Sequence, residues 1–245
     1  MLARFFHRFA LWPLLLISHF LVASLLAWHL LAKIDFGYAW AYPALDIQAH
    51  IERFGPLNRY KPGFGETGKE EHFRLFGEIT ESIQSGGEGL SEIRYPLPGG
   101  QETPLMREAE VIHLQDVARL VSLYYAVGLA AGGLFLLLVV YAYRRAQRPP
   151  RPARVLWVTL VSLLLGAALL ALIGPVKVFY WLHEHAFPDD HEWFFYYQDS
   201  LMTTLMKAPD LFGFIGALLL LLTLVLWGAS GALLWRWLSR APVRS

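Results

Sequence analysis

Two stretches of the chain carry residues that can move protons. The first runs from Met106 to Val121 and reads as one helix, charged at its start and apolar afterwards. A period of 3.6 residues places Glu110, His113, Asp116 and Leu120 on one side of it. An imidazole titrates near neutrality, and a carboxylate one turn away can fix its tautomer, so His113 and Asp116 are the parts of an acid–base pair. Arg119, at the same spacing from Asp116, is an equal rival for that carboxylate.

The second stretch, Phe179 to Leu201, holds His183, His185 and His191 among aromatic and acidic residues. Three uses fit it. Its rings suit an interfacial belt in which aromatics and histidines anchor helix ends. Its histidines, with Asp189 or Asp190, can supply zinc ligands, although His-x-His is a weak pattern alone. One of its histidines can also share acid–base work with His113. The absence of cysteine removes thiol nucleophiles, disulfides and thiolate metal sites together. Gly-x-Ser-x-Gly and P-loop patterns are absent. A net charge of +1 leaves no excess positive charge for nucleic acid.

The elements that must position these residues are apolar. The chain is 56% hydrophobic and 15% aromatic, too apolar for an ordinary soluble domain. Four runs are long enough to cross a bilayer: Ala10 to Ala32, Ala118 to Tyr143, Val155 to Leu172 (with an extension toward Val178) and Leu211 to Leu234. The first competes with a signal peptide, but it exceeds a usual signal core and no small-x-small site closes it, so it reads as a retained anchor. It contains His19 and His29, functional candidates by virtue of lying in such a run. Arg4 and Arg8 precede it, Arg144, Arg145, Arg148, Arg151 and Arg154 form a linker, and Arg236, Arg240 and Arg244 close the chain. These basic segments hold no acidic residue, so both termini are expected in the cytoplasm and the two acidic segments outside.

Between the first two runs, Asp35 to Gly68 reads as loop because it is rich in Gly and Pro. Glu70 to Ser85 reads as an amphipathic helix with Phe73, Phe76, Ile79 and Ile83 on one face, stopped by Gly86-Gly87. A short strand is expected in Leu90 to Leu97, a turn at Pro98-Gly99-Gly100 and a return strand in Thr103 to Met106. A cap of this size is near the lower limit for holding its own core, so it is expected to lean on the helices. The expected fold is an α-helical integral membrane protein, four transmembrane helices with a small α+β extracytoplasmic cap between helices 1 and 2. It divides into 1–33 (cytoplasmic start and first helix), 34–110 (cap) and 111–245 (three-helix region with the basic linker 144–154 and the aromatic outer loop 177–209).

Both chemical stretches resemble the lipoprotein intramolecular transacylase (Lit) family of bacterial membrane proteins. Glu110-Val111-Ile112-His113-Leu114-Gln115-Asp116-Val117 is similar to the family's Glu-x-x-His-Met-x-Asp-Val signature. His183 with Phe187-Pro188, then Trp193 and Asp199-Ser200-Leu201, is similar to its Phe-His-x-x-Phe-Phe stretch, following Trp and Asp-x-Leu. Leu182 and Ala186 depart from that pattern, and one extra residue separates His183 from Trp193, which leaves His185 as a rival counterpart although the spacing to Phe187-Pro188 favours His183.

The resemblance implies transfer of one acyl chain within a diacylated lipoprotein, from the sn-2 glyceryl oxygen to the amine of the N-terminal cysteine, giving a lyso-form lipoprotein. It further implies His113 as general base, His183 as the partner that polarises the carbonyl or protonates the leaving hydroxyl, and Asp116 as the group that orients His113. Glu110 would support the site from behind, Trp193 would pack acyl chains and His185 would lie beside the substrate. No metal and no cofactor is implied. The partners are the lipoprotein and membrane lipids, without nucleic acid, and the setting is the bacterial inner (cell) membrane. A non-enzymatic, outward-facing lipid- or partner-binding protein is the alternative, followed by a metal or haem protein using His19 or His29.

Overall fold

The computed structural model describes residues 10–240; Arg4, Arg8 and Arg244, which carry part of the charge asymmetry, lie outside them. In chain order the helices are α1 (Trp12–Ala32), α2 (Tyr38–Ala44), α3 (Ile47–Phe54), α4 (Lys69–Gln84), α5 (Glu108–Arg144), α6 (Pro152–Ile173), α7 (Pro175–Ala186), α8 (Leu201–Met206) and α9 (Asp210–Ser239), with strands β1 (Arg94–Pro96) and β2 (Glu102–Pro104) between α4 and α5. Helices α1, α5, α6 and α9 are each long and apolar enough to cross a membrane. The charged and apolar parts of the first chemical stretch form one unbroken helix, α5, of 37 residues. At about 1.5 Å per residue it is roughly 55 Å long, against about 30 Å of hydrocarbon. Its charged first turns are therefore surplus to a span.

The chain divides into two compact units. One comprises Ser24–Val127 and Asp190–Leu224, and the other gathers the remaining described residues. The core of the first unit is built from Tyr38, Ile47, Ile51, Phe64, Leu75, Phe76, Ile79, Tyr95, Leu105, Leu201 and Leu205, all buried. Helix α4 forms where the apolar period places it, with Phe76 and Ile79 buried in that core. It ends at Ser85, after which Gly86 and Gly87 take φ of 75° and 92°, and the Gly87 N–H closes on the Ser82 carbonyl at 2.8 Å. Only glycine adopts two such angles in succession without strain. Gln84 Oε1 accepts both the Trp28 indole N–H at 3.2 Å and the Tyr125 hydroxyl at 3.1 Å, tying the end of α4 to α1 and α5.

Three sequence expectations change. The stretch from Asp35 to Gly68 is not all loop, since α2 and α3 lie within it. Ile47, His50 and Ile51 share a helical face that is buried. The glycines and prolines there mark breaks between short helices rather than the absence of helix. The expected strand from Leu90 begins later, because Leu90–Glu92 forms a 3₁₀ turn. Strands β1 and β2 pair antiparallel with Tyr95 opposite Thr103. Finally, α6 does not continue to Val178. Gly174, at φ 94°, breaks it, and Pro175 opens α7 at a position that needs no N–H donor.

In the second unit Leu11, Leu15, Leu138, Ala142 and Leu238 form a buried apolar cluster. Helix α6 buries none of its residues.

Candidate active site

The site begins at the first turn of α5. Arg107 precedes that helix, and Glu110, three residues on, accepts the Arg107 backbone N–H on Oε2 at 2.7 Å. This is half of a capping box, in which the third helical residue satisfies a donor that the helix itself cannot. The other oxygen, Oε1, accepts the Ser200 hydroxyl at 2.6 Å and the Met202 N–H at 3.4 Å. Ser200 is the N-cap of α8, and its Oγ also accepts the Thr203 N–H at 2.9 Å. One carboxylate, only 1% exposed, thus serves the starts of two helices. A buried charge is tolerated only with such a set of donors, so the local geometry gives Glu110 a structural task.

One turn later His113 is buried, its ring centroid 5.8 Å from that of Phe195. The Arg107 guanidinium lies 4.7 Å from the Tyr60 ring centroid and 5.9 Å from that of Phe195. Its Nε is 3.5 Å from Glu110 Oε2. A cation held between two aromatic faces beside a carboxylate is well fixed.

Asp116, also buried, meets His191 Nδ1 with Oδ2 at 2.6 Å, and the Arg119 guanidinium with Oδ1. The carboxylate expected to orient His113 therefore commits its oxygens to His191 and Arg119. The Arg119 partnership is the rival that sequence spacing already allowed. The His191 partnership is new, because no spacing rule connects residues 75 apart. Donation of Nδ1–H to Asp116 leaves the lone pair of the neutral imidazole on Nε2, and the His191 side chain is 28% exposed. Leu120, grouped with these residues by the helical period, is 40% exposed and lies off the buried side.

His183 and His185 lie on α7, in the second unit. His183 is half-buried, its Nδ1 donating to the Phe179 carbonyl at 2.8 Å and its ring 3.9 Å from that of Phe179. Burial lowers its pKa below the usual histidine range, and the bond to the Phe179 carbonyl opposes that shift. His185 makes the same kind of bond to the Trp181 carbonyl, at 2.8 Å, but is exposed. Both rings thus carry the Nδ1 proton when neutral. Trp193, in the first unit, meets Phe194 edge-on at 6.1 Å between centroids.

Among the described residues no group of three or more His, Cys, Asp or Glu that could hold a metal ion is present. His19 is bonded through Nε2 to Ser230 Oγ at 2.8 Å and stacked on Phe135, and His29 is bonded through Nδ1 to the Tyr125 hydroxyl at 3.1 Å.

Sequence reasoning named His191 and Ser200 but did not pair them with Asp116 and Glu110, and it did not single out Phe195 or Arg107. Only Ser200 left a usable signal, a cap residue directly before an apolar run.

Residues 100–208 match the family model described as Lipoprotein intramolecular transacylase Lit. This part of the chain, somewhat less than half of it, is similar to a family of lipoprotein transacylases. The matched interval contains Glu110, His113, Asp116, His183, His185, His191, Trp193 and Ser200. No curated protein and no solved structure matches the chain.

Proposed function

We propose that this chain is a membrane acyltransferase that moves one acyl chain within a diacylated bacterial lipoprotein, from the sn-2 glyceryl ester to the amine of the N-terminal cysteine, leaving the lyso-form. The observation that carries this reading is the buried turn of α5 bearing Glu110, His113 and Asp116, at the head of a helix longer than a span and inside the interval that matches the family.

The reaction asks little of the protein beyond positioning and proton transfer. The amine nitrogen attacks the ester carbonyl carbon, a C–N bond forms, the C–O bond to the glyceryl breaks, and the freed oxygen takes a proton. Donor and acceptor belong to one molecule, so holding them in contact supplies much of the acceleration. The substrate brings its own nucleophile, and no enzyme thiol or serine is needed. His113 is assigned the proton of the attacking nitrogen. His183, whose Nδ1–H is held by the Phe179 carbonyl, polarises the carbonyl or protonates the departing oxygen through Nε2. Glu110 holds the turn that carries His113. Trp193 packs acyl chains, and His185 lies toward the substrate.

The four apolar helices cross the inner membrane of a bacterium, with both termini and the linker 144–154 in the cytoplasm. The cap, 34–110, and the loop 177–209 face outward. The partners are the lipoprotein and the surrounding lipids. The test is expression in a host that makes diacylated lipoproteins, with lipopeptides read by mass and fragmentation. One acyl chain should move to the amine, and His113→Ala should abolish the transfer. Unchanged lipopeptides from a well-expressed wild-type protein would sink the proposal.

A further inference from the structure

At neutral pH the substrate's amine is largely an ammonium, since an α-amino group titrates near pH 8. Conversion of an ammonium and an ester into an amide and an alcohol releases one proton. Two histidines can carry a proton from nitrogen to oxygen, but that transfer cancels internally. The remaining proton must leave before the nitrogen can attack. We propose that His191, held by Asp116, is the base that takes this first proton and passes it to water. This inference rests on the acyl transfer proposed above.

Three observations support it. The Nδ1–H of His191 is anchored on Asp116 Oδ2 at 2.6 Å, which leaves Nε2 as the proton acceptor. Asp116 lies one turn from His113 on α5, and Phe195, four residues beyond His191, lies against the His113 ring. The segment bearing His191 therefore covers the same face of α5 that bears His113. Lastly, the two rings differ in access to water. His113 is buried, whereas the His191 side chain is 28% exposed. A base that must return its proton to solvent needs that exposure, and one that moves a proton between two substrate atoms is better without it. The charged groups that meet His191 are Asp116 and, across the same carboxylate, Arg119, while Asp190 and Glu192 flank it in the chain. Nothing in this assignment requires His191 to touch the ester.

The test compares wild type, His191→Gln and His191→Ala on a diacylated lipopeptide from pH 6.5 to 9, in full-length protein. Glutamine can still donate to Asp116 but cannot take the proton. Both variants should lose about tenfold at pH 7 and about 30-fold at pH 6.5, following the share of amine still protonated, and recover to within about threefold of wild type at pH 9, where the amine is already neutral. Added imidazole should restore part of the low-pH activity of His191→Ala. A pH-independent loss in both variants, or no loss in either, overturns the assignment while leaving acyl transfer intact. A wild-type protein that transfers nothing at any pH overturns both.

Discussion

Asp116 and His191 are joined at 2.6 Å although 75 residues separate them. The bond sets the tautomer of an imidazole whose chain segment has no regular secondary structure, so the carboxylate is the main device holding that ring in place. Removing Asp116 should therefore act through His191. Asp116→Ala and His191→Ala should each lower acyl transfer, and the double variant should be no slower than the worse single one, because members of one unit do not contribute additively. Initial rates on a single lipopeptide below pH 7 check this. Rate losses that multiply in the double variant would show two independent roles.

His183 and His185 make the same backbone bond, but only His183 is half-buried. His183→Ala should reduce transfer at least about 100-fold, the lower range for loss of an acid–base group. His185→Ala should remain within about threefold of wild type. The reverse ranking would make His185 the working residue.

Glu110 and Ser200 should be read out as stability rather than rate. Ser200→Ala removes a donor to a buried carboxylate and the cap of α8 together, which should cost about 2–4 kcal/mol in all. Glu110→Ala removes the acceptor of the Arg107 and Met202 N–H groups and leaves the Ser200 hydroxyl only Thr203 Oγ1, and should cost at least as much. Unfolding midpoints in detergent measure both, and a midpoint within a degree of wild type would contradict this bonding.

The cap should weaken in acid. His50 lies between the rings of Phe54 and Tyr197, at 4.7 and 4.4 Å between centroids. Burial is the main reason its pKa falls to about 4, with Lys207 and Arg53 adding to the shift and Asp210 opposing it. Burial lowers His72 as well; Tyr42 donates to its Nδ1 at 2.7 Å, and its Nε2 donates to Thr67 at 2.8 Å. The unfolded chain binds these protons near pH 6.5 and the folded chain does not. Stability is thus fully present above pH 6.5 and falls as the pH drops toward 4, by about 3 kcal/mol at most for His50. Melting temperature against pH checks the sign, and His50→Asn should flatten the curve.

How much was legible in the sequence depended on whether the signal was local. The long apolar runs and the Phe73–Phe76–Ile79 face of α4 follow from periodicity, and the structure keeps them within a few residues. The union of charged and apolar segments in α5 was legible for the same reason. Helices α2 and α3 were hidden because each spans at most eight residues between glycines and prolines, too short for a period to stand out. Within the site, the shared helical face of Glu110, His113 and Asp116 followed from the period, but their burial and the exposure of Leu120 did not. The bonds from Asp116 to His191 and from Glu110 to Ser200 connect distant segments, and no local rule selects one histidine or serine over its neighbours.

The bond from Ser200 to Glu110 spans 90 residues of chain, so during synthesis it can form only after α5, α6 and α7 have been made. When α5 leaves the ribosome its first turn holds an acidic group whose second set of donors has not yet been made. That carboxylate oxygen needs water as its partner until the start of α8 is made. The arrival of Ser200 and Met202 is what replaces that water with protein donors.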